Sequence, residues 1–318
     1  MAIACGIALL TWSADRFVVG ASAIAYNLDI SPLVIGLTIV SLGTSAPEIL
    51  VSAVAAWQGN SGLAVGNALG SNIINIALVL GVAALITPLE VHSSIVRREL
   101  PVLLLIMAAA LLLLLDGTLG RLDGTLLVIG MGLMLFWVTR MGIKSSDTPD
   151  AINTEFSEEI PTDLGIGKAA FWLVAGALLL LLSSRLLVWG SVSIAQTMGV
   201  SDLVIGLTIV ALGTSLPELA ATVMSALKNE HDIALGNVLG SNMFNLLAVL
   251  GLPGLIDPGP FEPVVLTRDY PVMFALTVVL FVMAYGFRGP GRINRLEGAI
   301  LLAAFGAYQT LLYFHTLG

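Results

Sequence analysis

Polar positions along this chain are sparse and clustered, and the apolar positions between them form continuous runs. These runs cover about 2–26, 33–57, 62–86, 98–115, 122–141, 167–198, 203–227, 232–256, 269–287 and 295–316. Each is near the length a helix needs to cross a hydrocarbon core of about 30 Å. Membrane-spanning strands would alternate in hydrophobicity over ~10 residues, and these runs do not. The pattern predicts an all-α polytopic membrane protein with ten transmembrane helices. One polar break, "KSSDTPDAINTEFSEEIPTD" from Lys144 to Asp163, divides the ten into five and five. Rich in Ser, Thr, Pro and acids, it reads as a solvated linker. It lacks the Asp/Asn alternation and the glycine of an EF-hand loop.

The halves repeat. A shift of 170 residues lays Gly36–Gly81 on Gly206–Gly251 without a gap, with 23 of 46 positions identical. Internal symmetry of this kind marks many secondary transporters. Because each half has an odd number of spans, the second enters the membrane from the opposite side. The expected plan is a 5+5 inverted-topology repeat: residues 1–143, a linker over 144–166, then 167–318.

Composition supports a membrane chain: 57% of residues are hydrophobic and 11% charged, against about 25% charged in soluble proteins. The net charge of −8 comes in good part from the linker. One cysteine, Cys5, excludes an internal disulfide and any Cys-rich metal site. The N-terminal run enters a span directly, so no cleavable signal is expected. Arg97, Arg98, Arg140, Lys144, Lys168, Lys228, Arg288, Arg292 and Arg295 fall in loops on one side, against Arg121 and Arg268 on the other. The first side is therefore expected to be cytoplasmic, with the linker inside and both termini outside.

The chemistry lies in the repeated segment. Span two carries Gly43-Thr44-Ser45-Ala46-Pro47-Glu48 and span seven Gly213-Thr214-Ser215-Leu216-Pro217-Glu218. Proline removes a helical donor and glycine loosens the backbone, so both helices should break or kink there. Irregular backbone at membrane depth is tolerated where it faces protein or a polar cavity. Carbonyls around Ser41–Gly43, the hydroxyls of Thr44 and Ser45, and the Glu48 carboxylate form a set of hard oxygen donors. The next span presents Asn67, Ser71 and Asn75 at i, i+4, i+8, and its mate presents Asn237, Ser241 and Asn245. A carboxylate in the bilayer is costly and usually marks an ion pathway. Two at matching positions point to one cation site. Absence of His and Cys from it argues against Zn²⁺ and copper, and all-oxygen ligation suits Ca²⁺ or Na⁺. Arg16 and Arg185, within spans one and six, read as structural, with Asp15 a local partner for Arg16.

The paired GTSAPE and GTSLPE segments, followed by GNALGSN and GNVLGSN, resemble the α-repeats of the sodium/calcium exchanger family, within the cation/Ca²⁺ antiporter superfamily. The compact prokaryotic members are the nearest in form, which points to a prokaryotic inner membrane. The resemblance implies ion ligands at Thr44, Ser45, Glu48, Ser71, Asn75, Thr214, Ser215, Glu218, Ser241 and Asn245, and at the Ser41 and Ala211 carbonyls. It implies exchange of Ca²⁺ for Na⁺, no cofactor and no enzymatic activity. The bilayer is the partner implied; nothing points to nucleic acid or an obligatory protein partner. Some relatives carry Asp where Asn245 stands, so this site has two carboxylates, and Na⁺ and H⁺ both stay open as counter-ion. An intramembrane hydrolase using Ser45 or Ser215 would need a nearby base, yet His92, His231 and His315 sit near span ends. A channel would differ in showing uncoupled flux.

Overall fold

Every apolar run has a helical counterpart in the computed structural model, which describes residues 2–28, 30, 32–59, 61–91, 95–145, 164–197, 211–285 and 291–317. Most of the linker (146–163), the junction after span six and the first part of span seven (together 198–210) lie outside the described residues. Among the described residues, six helices are long and apolar enough to cross a membrane alone: Ala64–Ile86, Arg121–Arg140, Ile166–Ser183, His231–Ile256, Val265–Ala284 and Arg295–Phe314. The bent pair Leu33–Thr44 and Ala46–Trp57 makes a seventh. Span one is the helix Ala2–Asn27, interrupted in polarity by Asp15 and Arg16. Span four is Leu100–Leu114 continued from a π-helical turn over Ile95–Glu99, and span seven ends in Leu216–Leu227. The chain is thus an all-α membrane protein of ten spans. Spans four and nine begin earlier than the apolar runs suggested, because π turns at Ile95–Glu99 and Val265–Asp269 carry charged residues into the helix.

The 170-residue shift extends well past the repeated segment. Helix Ala46–Trp57 matches Leu216–Leu227, Ser61–Ile74 matches His231–Phe244, and Leu100–Leu114 matches Tyr270–Ala284. The π turns match too, Asn75–Val79 with Asn245–Val249. Two duplicated helices have therefore kept even their backbone hydrogen-bond slips in register.

Short strands in the loops test the topology. Label them β1 (Leu89–Val91), β2 (Thr118–Leu119), β3 (Gly259–Pro260) and β4 (Gly291–Ile293). β1 pairs antiparallel with β4, and β2 with β3. Paired strands must lie on one face of the bilayer, so an even number of spans separates each pair. Six spans separate β1 from β4 and four separate β2 from β3, as the ten-span order requires. β1 and β3 occupy equivalent loops of the two halves, yet each pairs across a different face. That is the signature of an inverted repeat.

The chain forms two compact units, Met1–Pro47 with Gly130–Ser241, and Glu48–Ile129 with Asn242–Gly318. Neither coincides with a sequence repeat; each draws helices from both halves. In the first, Ala2–Asn27 packs along Ile166–Thr197, with Ala14, Phe17, Ala21, Ala169, Leu173 and Leu180 in its core. The backbones approach closely: a Cβ on Gly20 would collide with the Leu173 nitrogen, and one on Gly176 would sit 2.7 Å from Phe17 Cα. Asp15 meets Arg16 at 3.6 Å, but its shorter bond, 2.8 Å, is to Lys228. Arg16 also lies over the Trp172 ring at 5.3 Å, so the local pairing expected for it is one contact of several.

In the second unit, Tyr270 donates its hydroxyl to the Met107 carbonyl, and Tyr308 donates to Asp269 at 2.8 Å. Arg268 closes on the same carboxylate. Leu105, Leu112 and Phe314 are largely exposed, as side chains facing lipid should be. Span eight is the opposite case: the helix His231–Ile256 is 94% buried over its most apolar stretch, whereas Arg121–Arg140 is 22% buried. Polar side chains of span eight therefore face protein.

Candidate functional site

Both acid-bearing helices break at the same residue. Ser45 has φ −81° and ψ 4°, and Ser215 has φ −87° and ψ 6°, outside helical geometry. A new helix starts one residue later in each case, with proline in its first turn and the glutamate just after it. Proline tolerates a first-turn position because no helical acceptor waits for its missing donor. The acid is thereby placed in the first turn of a new helix inside the membrane span. The Ser41 carbonyl was expected to be freed by this break. Instead it keeps the Ser45 N–H at 2.9 Å and lies 3.3 Å from the Thr44 hydroxyl. Gly43 is the residue whose helical donor position is Pro47.

In the first unit, Ser41, Thr44, Ser45, Thr214, Ser215, Glu218 and Ser241 are all buried. Ser45 Oγ donates to Glu218 Oε1 at 2.9 Å, joining the break of one repeat to the acid of the other. Thr44 Oγ1 donates to Asn237 Oδ1 at 3.0 Å. Asn237 Nδ2 in turn donates to Thr222 Oγ1 at 2.9 Å and reaches the Glu218 carbonyl at 3.4 Å. Glu218 Oε2 and Ser241 Oγ have no hydrogen-bond partner among the described residues. Close helix approach is enforced at Gly240, where a Cβ would sit 2.5 Å from Ser41 Oγ and 2.7 Å from the Leu37 carbonyl. Ala211 opens the helix Ala211–Thr214; the preceding residues of its repeat, 203–210, lie outside the described residues.

The second unit holds Glu48, Ser71, Asn75 and Asn245, all at 0% exposure. Asn67 Nδ2 donates to the Glu48 carbonyl at 3.2 Å and to Ser52 Oγ at 3.1 Å, mirroring Asn237. Asn67 and Asn237 thus brace the acid-bearing helix, whereas the sequence pattern grouped them with the ligands. Ser71 Oγ, Asn75 Oδ1 and Asn245 Oδ1 have no hydrogen-bond partner among the described residues. Each buried, unpartnered acceptor costs roughly 1–3 kcal/mol, and such atoms are rare in folded proteins. Here they fall on residues that the repeat had already singled out.

Two participants went unnoticed in the sequence. Asn75 Nδ2 donates to Asn242 Oδ1 at 3.2 Å, and Asn245 Nδ2 to Asn72 Oδ1 at 3.1 Å. The duplicated Asn-x-x-Asn spacing in "SNIIN" and "SNMFN" was the available signal. Among the described residues no three His, Cys, Asp or Glu side chains gather as a metal group. The buried oxygens within each unit come from carboxylate, hydroxyl and amide groups, the donor types that hard ions prefer.

A duplicated five-helix membrane unit, broken in both copies at an intramembrane acid and lined with buried oxygens, defines an ion-translocating membrane protein. The sodium/calcium exchanger protein family model matches residues 1–140 and 168–314. CaxA of Alkalimonas amylolytica is 53% identical over 308 residues, covering 97% of this chain and 96% of that protein. The inner membrane protein YrbG of Escherichia coli K12 is 40% identical over 310 residues, covering 97% and 95%. A structure of the sodium-calcium exchanger NCX_Mj, soaked with zero Na⁺ and Ca²⁺, superposes with a TM-score of 0.82 at 33% identity, covering 100% of this chain and 98% of that one. The chain belongs to the sodium/calcium exchanger family. It is a cation/Ca²⁺ antiporter and not an enzyme.

Proposed function

We propose that the chain exchanges Ca²⁺ for Na⁺ by alternating access. The transported ions would be held by Glu48, Glu218, Thr44, Ser45, Ser71, Asn75, Thr214, Ser215, Ser241, Asn245 and the Ser41 and Ala211 carbonyls. The observation that carries this reading is the coincidence of unpartnered buried oxygens with ligand positions: Glu218 Oε2, Ser241 Oγ, Ser71 Oγ, Asn75 Oδ1 and Asn245 Oδ1. Two ionised glutamates give a charge of about −2, which one Ca²⁺ or two Na⁺ neutralise, and a third Na⁺ makes exchange electrogenic. Uncompensated carboxylates oppose crossing of the empty protein, so loaded states move and coupling follows. The close-packed helices Ala2–Asn27 and Ile166–Thr197 are the moving pair. Support for Na⁺ comes from the solved relative, a sodium-calcium exchanger.

Uptake of radiolabelled Ca²⁺ into proteoliposomes under imposed Na⁺, K⁺ or H⁺ gradients tests the coupling. Outward Na⁺ gradients are expected to drive uptake, with K⁺ gradients inert. Uptake that follows the pH gradient and ignores Na⁺ reassigns the glutamates as proton carriers. Uptake with no gradient dependence at all would make the protein a channel.

The excess of Lys and Arg in one set of loops supports a cytoplasmic 144–166 linker and external termini, and the inner-membrane relative YrbG supports residence in a prokaryotic cell membrane. Single cysteines at Ser146 and Gly318, in a Cys5→Ser background, are expected to react with impermeant reagents from opposite sides. Reaction from one side only would refute this arrangement.

A further inference from the structure

We infer that Asn72 and Asn242 are positioning residues that orient the amides of Asn245 and Asn75 so that oxygen, not nitrogen, meets the cation. The inference rests on the reading of Asn75 and Asn245 as ligands. A primary amide presents one acceptor oxygen and one two-donor nitrogen on the same planar group. A half-turn of the side chain exchanges them, and the wrong face would repel a cation. Some fixed acceptor must therefore hold the nitrogen.

The structure supplies one for each ligand. Asn245 Nδ2 donates to Asn72 Oδ1 at 3.1 Å, and Asn75 Nδ2 to Asn242 Oδ1 at 3.2 Å. In both ligands the Oδ1 atom is left buried and without a partner among the described residues. The bonds cross between repeats: each ligand asparagine is held by the residue three positions before the other ligand. All four asparagines are essentially buried, with exposures of 0 or 1%, so no bulk water competes for these bonds. Each ligand also opens a π-helical turn, Asn75–Val79 or Asn245–Val249. Such turns occur often at functional sites.

The orienting residues need orientation themselves. Asn72 Nδ2 donates to Met273 Sδ at 3.4 Å, which keeps Asn72 Oδ1 turned toward Asn245. At the matching position of the other repeat stands Leu103, and Asn242 Nδ2 has no partner among the described residues. Asn242 is thus held by the Asn75 bond and by packing, and the Asn72–Asn245 arm is the more firmly set of the two.

The test is a double-mutant cycle on the purified full-length protein, read as equilibrium binding of Ca²⁺, which does not depend on the identity of the counter-ion. Asn245→Ala is expected to weaken Ca²⁺ binding about tenfold, since affinity follows the ligand set. Asn72→Ala is expected to weaken it by a similar factor although it touches no ion. The double variant should bind no more weakly than Asn245→Ala alone, because Asn72 acts through Asn245. Additive losses, or normal affinity in Asn72→Ala beside weakened Asn245→Ala, overturn the positioning role and leave the ligand reading intact. Normal affinity in Asn245→Ala overturns the ligand reading itself. The Asn242/Asn75 pair offers the same cycle if Asn72→Ala fails to assemble.

Discussion

Replacing Glu48 or Glu218 by glutamine abolishes Ca²⁺ transport and leaves a folded, membrane-inserted protein. Both acids are at 0% exposure, and each follows a helix break in its repeat. Glutamine preserves size and offers an oxygen in place of Glu218 Oε1, so the Ser45 hydroxyl keeps its acceptor at 2.9 Å. Removing a charge from the bilayer interior favours insertion, if it changes it at all. Binding of a divalent ion is another matter, because Ca²⁺ affinity rises steeply with ligand charge. Losing one of two carboxylates should lower flux by ~100-fold or more. Ca²⁺ flux in proteoliposomes, set beside monodispersity in detergent, separates lost transport from lost assembly. Flux near that of the parent protein in either variant would sink the assignment of the glutamates.

Much of this fold was legible because a membrane enforces simple rules. Apolar runs long enough to span, a polar break and a segment repeated 170 residues later with half its positions identical give ten helices and an inverted repeat. The helix breaks were legible as well, since Gly43 and Pro47, with Gly213 and Pro217, carry their backbone consequences in their covalent structure. Other features leave no trace in residue type. A π turn is a slip in backbone hydrogen bonding, and neither Asn75–Val79 nor Val265–Asp269 contains a residue that demands one. Strands of two or three residues are too short for an alternating pattern, so β2 and β3 were invisible until their loops met.

The site was half legible, for a similar reason. Helical spacing placed Asn67, Ser71 and Asn75 on one face, but spacing does not say what that face touches. Asn67 turns out to hold the Glu48 carbonyl and Ser52, and Asn75 holds Asn242. Asn72 drew no notice in the sequence, yet its oxygen receives the Asn245 amide. The Asp15–Lys228 bond was hidden in the same way: 213 residues apart in sequence, the two meet at 2.8 Å only through packing of helices. Local chemistry is written in the sequence, and pairing between distant faces is not.

Asn245→Asp is expected to change the ion dependence of exchange more than it changes assembly. The substitution keeps size and adds a third carboxylate to a set that holds two. It also removes the amide nitrogen that donates to Asn72 Oδ1 at 3.1 Å, leaving two oxygen acceptors face to face at 0–1% exposure. That arrangement is unfavourable until a proton or a cation comes between the oxygens. Cation loading should therefore be favoured, and release should be slowed or tied to protonation. Turnover is expected to fall about tenfold while apparent Ca²⁺ affinity rises, because affinity follows ligand charge. The Na⁺ concentration and pH that support half-maximal exchange should both shift. A residue serving only in helix packing would behave otherwise: the variant would lose thermal stability in detergent, and the protein that survived would keep the parent Na⁺ and pH profiles. Recording Ca²⁺ uptake across a matrix of Na⁺ concentrations and pH values, with melting temperature measured on the same preparation, distinguishes the two, and unchanged profiles would remove Asn245 from the ligand set.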